Sequence, residues 1–159
     1  MLNPSPNELC ACLAVKRWVD EVAAAAPYDS LDELVSVARA AATSLSSDEI
    51  AEALAEHPRI AENPKGEGRA QSFSREEQSS VDAEDVELAA AIDAGNASYE
   101  QRFGRVFLIR AKGRSRAEIL AELNRRLELD HETEQNIIGS ELRDIALLRL
   151  TALYSGENR

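Results

Sequence analysis

The residues best suited to chemistry stand together between Ala55 and Gln78, in the stretch A-E-H-P-R-I-A-E-N-P-K-G-E-G-R-A-Q-S-F-S-R-E-E-Q. His57, one of two histidines in the chain, is followed at once by Pro58, a helix stop. A polar loop with Pro64, Gly66 and Gly68 comes next, and Ser74, Arg75, Glu76, Glu77 and Gln78 then open a fresh helix. A histidine beside such a loop can move a proton, and a neighbouring glutamate can orient the imidazole or strain a bound carboxylate. The helix start offers N–H groups and the positive end of a dipole, which together seat an anion. The chain has no P-loop, no G-x-G-x-x-G, no G-x-S-x-G and no Cys/His cluster with metal spacing. The chemistry implied is acid–base work without a cofactor or metal.

Taken singly, each of these residues has a plainer explanation. A histidine in the last turn of a helix is favoured there by the helix dipole. Ser74 and Glu77 fit a capping box, and Gln78 fits an exposed helical position. Arg149 fits a solvated charge, although Leu147, Leu148 and Leu150 surround it in sequence. His131, between Asp130 and Glu132, reads as a surface residue without a role. The functional reading rests on the combination rather than on any one member.

The elements around this stretch read as helices. Asn7–Ala26 carries Leu9, Leu13, Trp18 and Val22 at helical spacing, with a break near Cys12 and a stop at Pro27. Ser30 with Glu33, Ser46 with Glu49, and Ser115 with Glu118 are three further capping-box starts. Leu31, Leu34, Val35 and Ala38 mark the face of one helix, and Ile50 and Leu54 that of the next. The cluster Asp82–Asp85 marks another N-terminus, leading to a helix to Phe103 with Leu88, Ile92, Tyr99 and Phe103 inward and Gly104 as its C-cap. Arg105–Lys112 has strand character, or is an extended buried connector. The helix from Ser115 runs to about Glu128. Asp130 or Thr133 opens the last helix, whose face is Ile137, Ile138, Leu142, Ile145, Leu148 and Leu153. The fold class expected is all-α, a single-domain helical bundle of about six to eight helices over residues 1–159.

Composition narrows the function classes. The chain of 159 residues is long enough to bury a core without staples, and its 4% aromatic content makes that core mainly Leu, Ala, Val and Ile. With 18 basic and 29 acidic residues the formal charge is −11, and no block of Lys or Arg makes a basic face for nucleic acid or an anionic membrane. There is no apolar run long enough to span a bilayer and no signal-peptide pattern, so the cytoplasm is the expected place. Cys10 and Cys12, one residue apart, are poorly spaced for a disulfide and are expected as small buried hydrophobes.

Five segments in order carry a resemblance: E-H-P-R-I-A-E at 56–62, S-F-S-R-E-E-Q at 72–78, N-A-S-Y-E-Q-R-F-G at 96–104, F-L-I-R-A-K-G at 107–113 and R-D-I-A-L-L-R-L at 143–150. With the early L-C-A-C-L-A-V-K-R-W-V and A-P-Y-D-S, they make the chain similar to the OHCU decarboxylases over nearly its whole length. That family converts 2-oxo-4-hydroxy-4-carboxy-5-ureidoimidazoline to (S)-allantoin and carbon dioxide in urate breakdown. The resemblance implies an all-α homodimer acting on a small molecule without a cofactor. It implies His57 as the proton-transfer residue, with Glu77 assisting and Pro58 shaping the pocket. Substrate contacts would come from Ser74, Arg75, Glu76, Glu77 and Gln78, from the backbone of Ile109, Arg110, Ala111, Lys112 and Gly113, and from Arg149 as a cation. Ala61 stands where relatives often have glycine, and Ala26 where an arginine is expected before Pro27. Neither departure removes a proposed catalytic group.

Two other readings remain at the level of sequence: a non-catalytic helical interaction module, and a relative acting on another ureido or imidazoline acid. Intact His57, Ser74, Glu77 and Gln78 weigh against both. The charge balance predicts no retention on immobilised duplex DNA at physiological salt, and measurable retention would overturn that exclusion.

Overall fold

The computed structural model describes residues 1–55 and 85–155. Among them are seven helices: α1 (Pro6–Cys12), α2 (Lys16–Ala24), α3 (Leu31–Ala41), α4 (Ser47–Leu54), α5 (Val86–Phe103), α6 (Arg116–Arg126) and α7 (His131–Tyr154). The protein is all-α, as its composition and capping signals predict. Arg105–Lys112 is neither helix nor strand, which leaves the connector reading of that run. The chain clusters into two compact units, Met1–Glu56 with Gly139–Arg159, and His57–Ile138.

In the first unit the expected break near Cys12 falls at Leu13–Val15, between α1 and α2. Ser5 with Glu8 and Ser46 with Glu49 form reciprocal capping boxes at α1 and α4, while Ser30 accepts the Glu33 amide at 3.1 Å. Helix α2 starts after Val15, which has no polar side chain to cap it. Its exposed first amide, on Lys16, donates instead to the Glu52 carboxylate of α4 at 2.9 Å. A negative charge thereby sits at the positive end of α2.

Leu9, Leu13, Trp18 and Val22 are buried as their spacing predicts. The two buried aromatics each satisfy a polar tip: Trp18 Nε1–H donates to the Ala38 carbonyl at 3.0 Å, and Tyr28 O–H to that of Val22 at 2.6 Å. Arg17 ties α2 to its neighbours, donating to Glu49 and, at 3.0 Å, to the Ala41 carbonyl at the end of α3. The Arg17 guanidinium holds the Glu49 carboxyl below its ordinary range, and Glu49 with Glu21 raises that of Arg17.

Two sequence expectations need correction in this unit. Cys12 is buried, but Cys10 is exposed, because residues two apart on a helix lie on nearly opposite faces. Along the later part of α7 the buried set includes Ala146, Leu147, Arg149 and Leu150, with Leu148 only half-buried. The arc buried is wider than the single stripe predicted, since neighbouring residues 145–147 are all inside.

In the second unit Asp85 caps α5 by accepting the Leu88 amide at 2.9 Å, and Gly104 ends it with a left-handed φ of 72°. Only glycine adopts that φ without a Cβ penalty. Helix α6 begins with the predicted box of Ser115 and Glu118 and ends at Arg126, two residues short of expectation. Asp130, rather than Thr133, opens α7, accepting the Thr133 amide at 2.7 Å. The core of this unit joins Ile92, Tyr99 and Phe103 of α5 to Phe107 and Ile109 of the connector and Leu123 of α6.

Helices α5 and α6 approach closely at Gly95. A Cβ there would lie 2.5 Å from Leu123 Cδ2 and 3.1 Å from its Cγ, in a side chain that is itself fully buried. Gly95→Ala is therefore expected to lower stability in urea denaturation, because overpacking of about 1–3 kcal/mol exceeds a helix-propensity gain of about 1 kcal/mol. In a Leu123→Ala background the same change should become stabilising. Equal effects in the two backgrounds would contradict this packing account.

Candidate active site

Of the residues singled out by sequence, His57, Pro58, Ser74, Arg75, Glu76, Glu77 and Gln78 lie outside the described residues. Of the remaining residues singled out, Ile109–Gly113 lie in the connector of the second unit and Arg149 lies in the first unit.

The connector is shaped from both ends. Gly104 releases the chain from α5, and buried Phe107, Leu108 and Ile109 carry it inward. Ile109 and Ala111 are 2% and 5% exposed, whereas Arg110 between them is half-buried and Lys112 is exposed. This alternation fixes the apolar side chains in the core and leaves the next residues outward. At Gly113 the backbone takes a φ of 82°, and the Arg114 amide closes the turn onto the Ala111 carbonyl at 3.1 Å. Ser115 then caps α6.

Behind the connector lies a charged pair that the sequence reading did not identify. Arg126 and Glu134 are both 0% exposed. Arg126 Nε lies 3.0 Å from each oxygen of the Glu134 carboxylate, and Nη2 also donates to it. Nη1 points the other way, donating to the Leu108 carbonyl at 2.8 Å. The guanidinium carbon stands 4.7 Å from the centre of the Phe107 ring. Tyr99 O–H donates to the same carboxylate. Burial, and then that hydrogen bond, push the Tyr99 hydroxyl above its ordinary pKa, so it remains a donor. Glu134 lies in the first turn of α7, where the helix dipole favours a carboxylate.

A signal for this pair is present in the sequence. Ile119, Leu123 and Arg126 follow at steps of four and three, as do Glu134, Ile138, Leu142 and Ile145. Both charges thus stand on apolar stripes, where a charge survives only if paired.

The connector is also the most basic part of the chain. Between Gln101 and Ala117 there are six cations, Arg102, Arg105, Arg110, Lys112, Arg114 and Arg116, and no acid. The expectation that Lys and Arg form no block is therefore corrected: the overall charge of −11 hides a local positive run. The Nε atoms of Arg105 and Arg114 are buried without a hydrogen-bond partner. The six cations lie within and on either side of Ile109–Gly113 in sequence.

Arg149 is 4% exposed, not a solvated charge. Its Nη1 donates to the Ala11 carbonyl at 3.0 Å, in the last turn of α1, where a cation complements the negative helix end. Among the described residues, no group of three or more His, Cys, Asp or Glu is placed to hold a metal ion.

These features define a class, an all-α protein whose irregular, cation-rich connector is held by a buried ion pair. A family model described as OHCU decarboxylase matches residues 6–151, and the chain belongs to that family. It is 30% identical over 153 residues to the 2-oxo-4-hydroxy-4-carboxy-5-ureidoimidazoline decarboxylase of Mus musculus, covering 95% of this chain and 83% of that protein. The enzyme of the same name from Haloferax volcanii is 29% identical over 143 residues, covering 88% of this chain and 83% of its own length. The solved structure of an OHCU decarboxylase in the presence of (S)-allantoin superposes with a TM-score of 0.79 at 24% identity, covering 94% of this chain and 98% of that one. That likeness extends the fold, and both units take part in the family match.

The turn at Gly113 yields a direct test. With φ at 82° and open space around a built Cβ, Gly113→Ala meets backbone strain and no clash. It is expected to lower stability by about 1 kcal/mol in urea denaturation, and Gly113→Asn by less, because asparagine tolerates the left-handed region. Equal losses for the two variants would contradict a backbone origin.

Proposed function

We propose that this protein is a carboxy-lyase that converts 2-oxo-4-hydroxy-4-carboxy-5-ureidoimidazoline to (S)-allantoin and carbon dioxide in urate breakdown. The observation that carries this reading is the family match over residues 6–151. Unbroken E-H-P and S-R-E-E-Q motifs within it, at 56–58 and 74–78, add support. The whole chain acts as one OHCU decarboxylase domain, as a homodimer in the cytoplasm. Among the described residues no helix is long and apolar enough to cross a membrane.

The chemistry runs without a cofactor because the substrate holds its own charge. The bond to the carboxylate carbon breaks, and its electron pair moves toward the neighbouring C=N. The hydroxyl loses its proton and becomes the ring carbonyl. Ring carbon and nitrogen each gain a proton, one replacing that lost by the hydroxyl and one from solvent. His57 takes the hydroxyl proton, and Glu77 orients His57 and disfavours the ground-state carboxylate. Pro58 shapes the pocket beside His57. Ser74, Arg75, Glu76, Glu77 and Gln78 hold the polar edge at a helix N-terminus, which favours an anion. The backbone of Ile109–Gly113 binds the planar ring and ureido group. Arg149 is the cation for substrate oxygens; its Nη1 donates to the Ala11 carbonyl.

The test is stereochemical. The substrate is generated in place with urate oxidase and the upstream hydrolase, and circular dichroism follows the product. Wild type is expected to give a rapid (S)-allantoin signal, and His57→Ala to slow it by at least about 100-fold. A wild-type rate no faster than spontaneous decay to racemate would overturn the reading.

A further inference from the structure

We infer that Arg126 is a positioning residue for ligand binding, holding the Ile109–Gly113 backbone in its binding geometry through the Leu108 carbonyl. The inference rests on the decarboxylase reading for what the segment binds, and on this structure for how the segment is held.

The connector has little structure of its own with which to keep a shape. It belongs to no helix and no sheet, so its peptide groups lack the repeating ladder that fixes either. Its side chains anchor it to the core at Phe107, Ile109 and Ala111, but apolar contacts do not set the rotation of a peptide plane. The Leu108 carbonyl is part of the peptide unit that contains the Ile109 amide, because a planar bond joins them. Fixing the oxygen by the 2.8 Å bond from Arg126 Nη1 therefore fixes the direction of the Ile109 N–H, at the first residue of the segment.

The guanidinium can do this because it cannot turn. Its Nε and Nη2 face are held by Glu134, and Tyr99 O–H holds the carboxylate in turn. The Phe107 ring stacks beside the guanidinium carbon at 4.7 Å. The rigid planar fork then has one direction left for Nη1. Lysine has no such fork, and a single ammonium cannot meet the carboxylate and the carbonyl with the same fixed angle. A pair serving stability alone would need some acceptor for Nη1, but not the carbonyl of the peptide unit that opens this segment. An apolar pair of similar volume commonly does that job as well.

The experiment compares wild type with Arg126→Lys and with the apolar variant Tyr99→Phe/Arg126→Met/Glu134→Met. The second leaves no buried charge or hydroxyl without its partner and so guards against simple misfolding. Far-ultraviolet circular dichroism establishes that the helices are intact. Two readouts follow: KM and kcat for the decarboxylation, and amide hydrogen exchange resolved at Ile109–Gly113. The expected result is a KM raised about tenfold with kcat changed by less than about threefold. Exchange at those amides should become about tenfold faster, with protection along α5 and α6 retained. A merely structural pair would lower the active fraction, reducing apparent kcat and leaving KM alone. Unchanged KM in a folded variant overturns the inference, and so does unchanged exchange at Ile109–Gly113. A wild type that fails to decarboxylate overturns the enzymatic reading instead, while the exchange comparison, which needs no substrate, still decides whether Arg126 holds the segment.

Discussion

The second unit depends on a buried ion pair, Arg126 with Glu134, and on what that pair demands of its surroundings. Removing two charges from water costs several kcal/mol for each, and their attraction offsets this only when the remaining donors and acceptors are also satisfied. Here they are met by the Tyr99 hydroxyl, the Leu108 carbonyl and the face of Phe107. Each partner comes from a different place: Tyr99 from α5, Leu108 and Phe107 from the connector, Arg126 from the end of α6, Glu134 from the start of α7. The requirement to satisfy one carboxylate and one guanidinium thus brings four segments to a common point. Loss of either charge alone would leave its partner buried and unpaired, a cost of about 3–5 kcal/mol.

The same device recurs at lower stakes across the first unit. Short helices expose many unpaired backbone groups relative to their length. Local serines satisfy some, but others are reached by long side chains from distant positions. Glu52 accepts the first amide of α2, Arg17 donates to the last carbonyl of α3, and Arg149 donates to Ala11 near the end of α1. These bonds are between 24 and 138 residues apart in sequence. Each is a cap made by tertiary contact, so the helices and their packing form together. The two buried arginines, Arg126 and Arg149, each donate to a backbone carbonyl, that of Leu108 and that of Ala11.

For the proposed reaction, charge distribution matters more than total charge. A chain of −11 repels an anionic substrate at long range, and screening limits that repulsion to about 8 Å at physiological salt. In sequence the run from Arg102 to Arg116 holds six cations and no acid. The Ile109–Gly113 backbone, proposed to bind the planar ring, lies inside this run. Local attraction and a segment of fixed geometry are the two things a decarboxylase without a cofactor asks of its protein: to bring the carboxylate in, and to hold it out of plane.

Local choices are legible in the amino-acid order alone. Ser46, Ser115, Asp85, Asp130 and Gly104 mark where helices begin and end because capping is decided within four residues. The spacing of Leu9, Trp18, Ile92 and Tyr99 marked the core for the same reason. The ordered motifs from E-H-P to R-D-I-A-L-L-R-L carried the family, and with it the expected roles of His57, Glu77 and the Ile109–Gly113 segment. The tertiary structure decided what depends on partners far apart in the chain. It gave α2 its cap from Glu52 and turned Arg149 onto Ala11. It also paired Arg126 with Glu134 behind the connector. Periodicity puts a charge on an apolar stripe, but only the folded chain supplies the opposite charge and the carbonyl that make its burial stable.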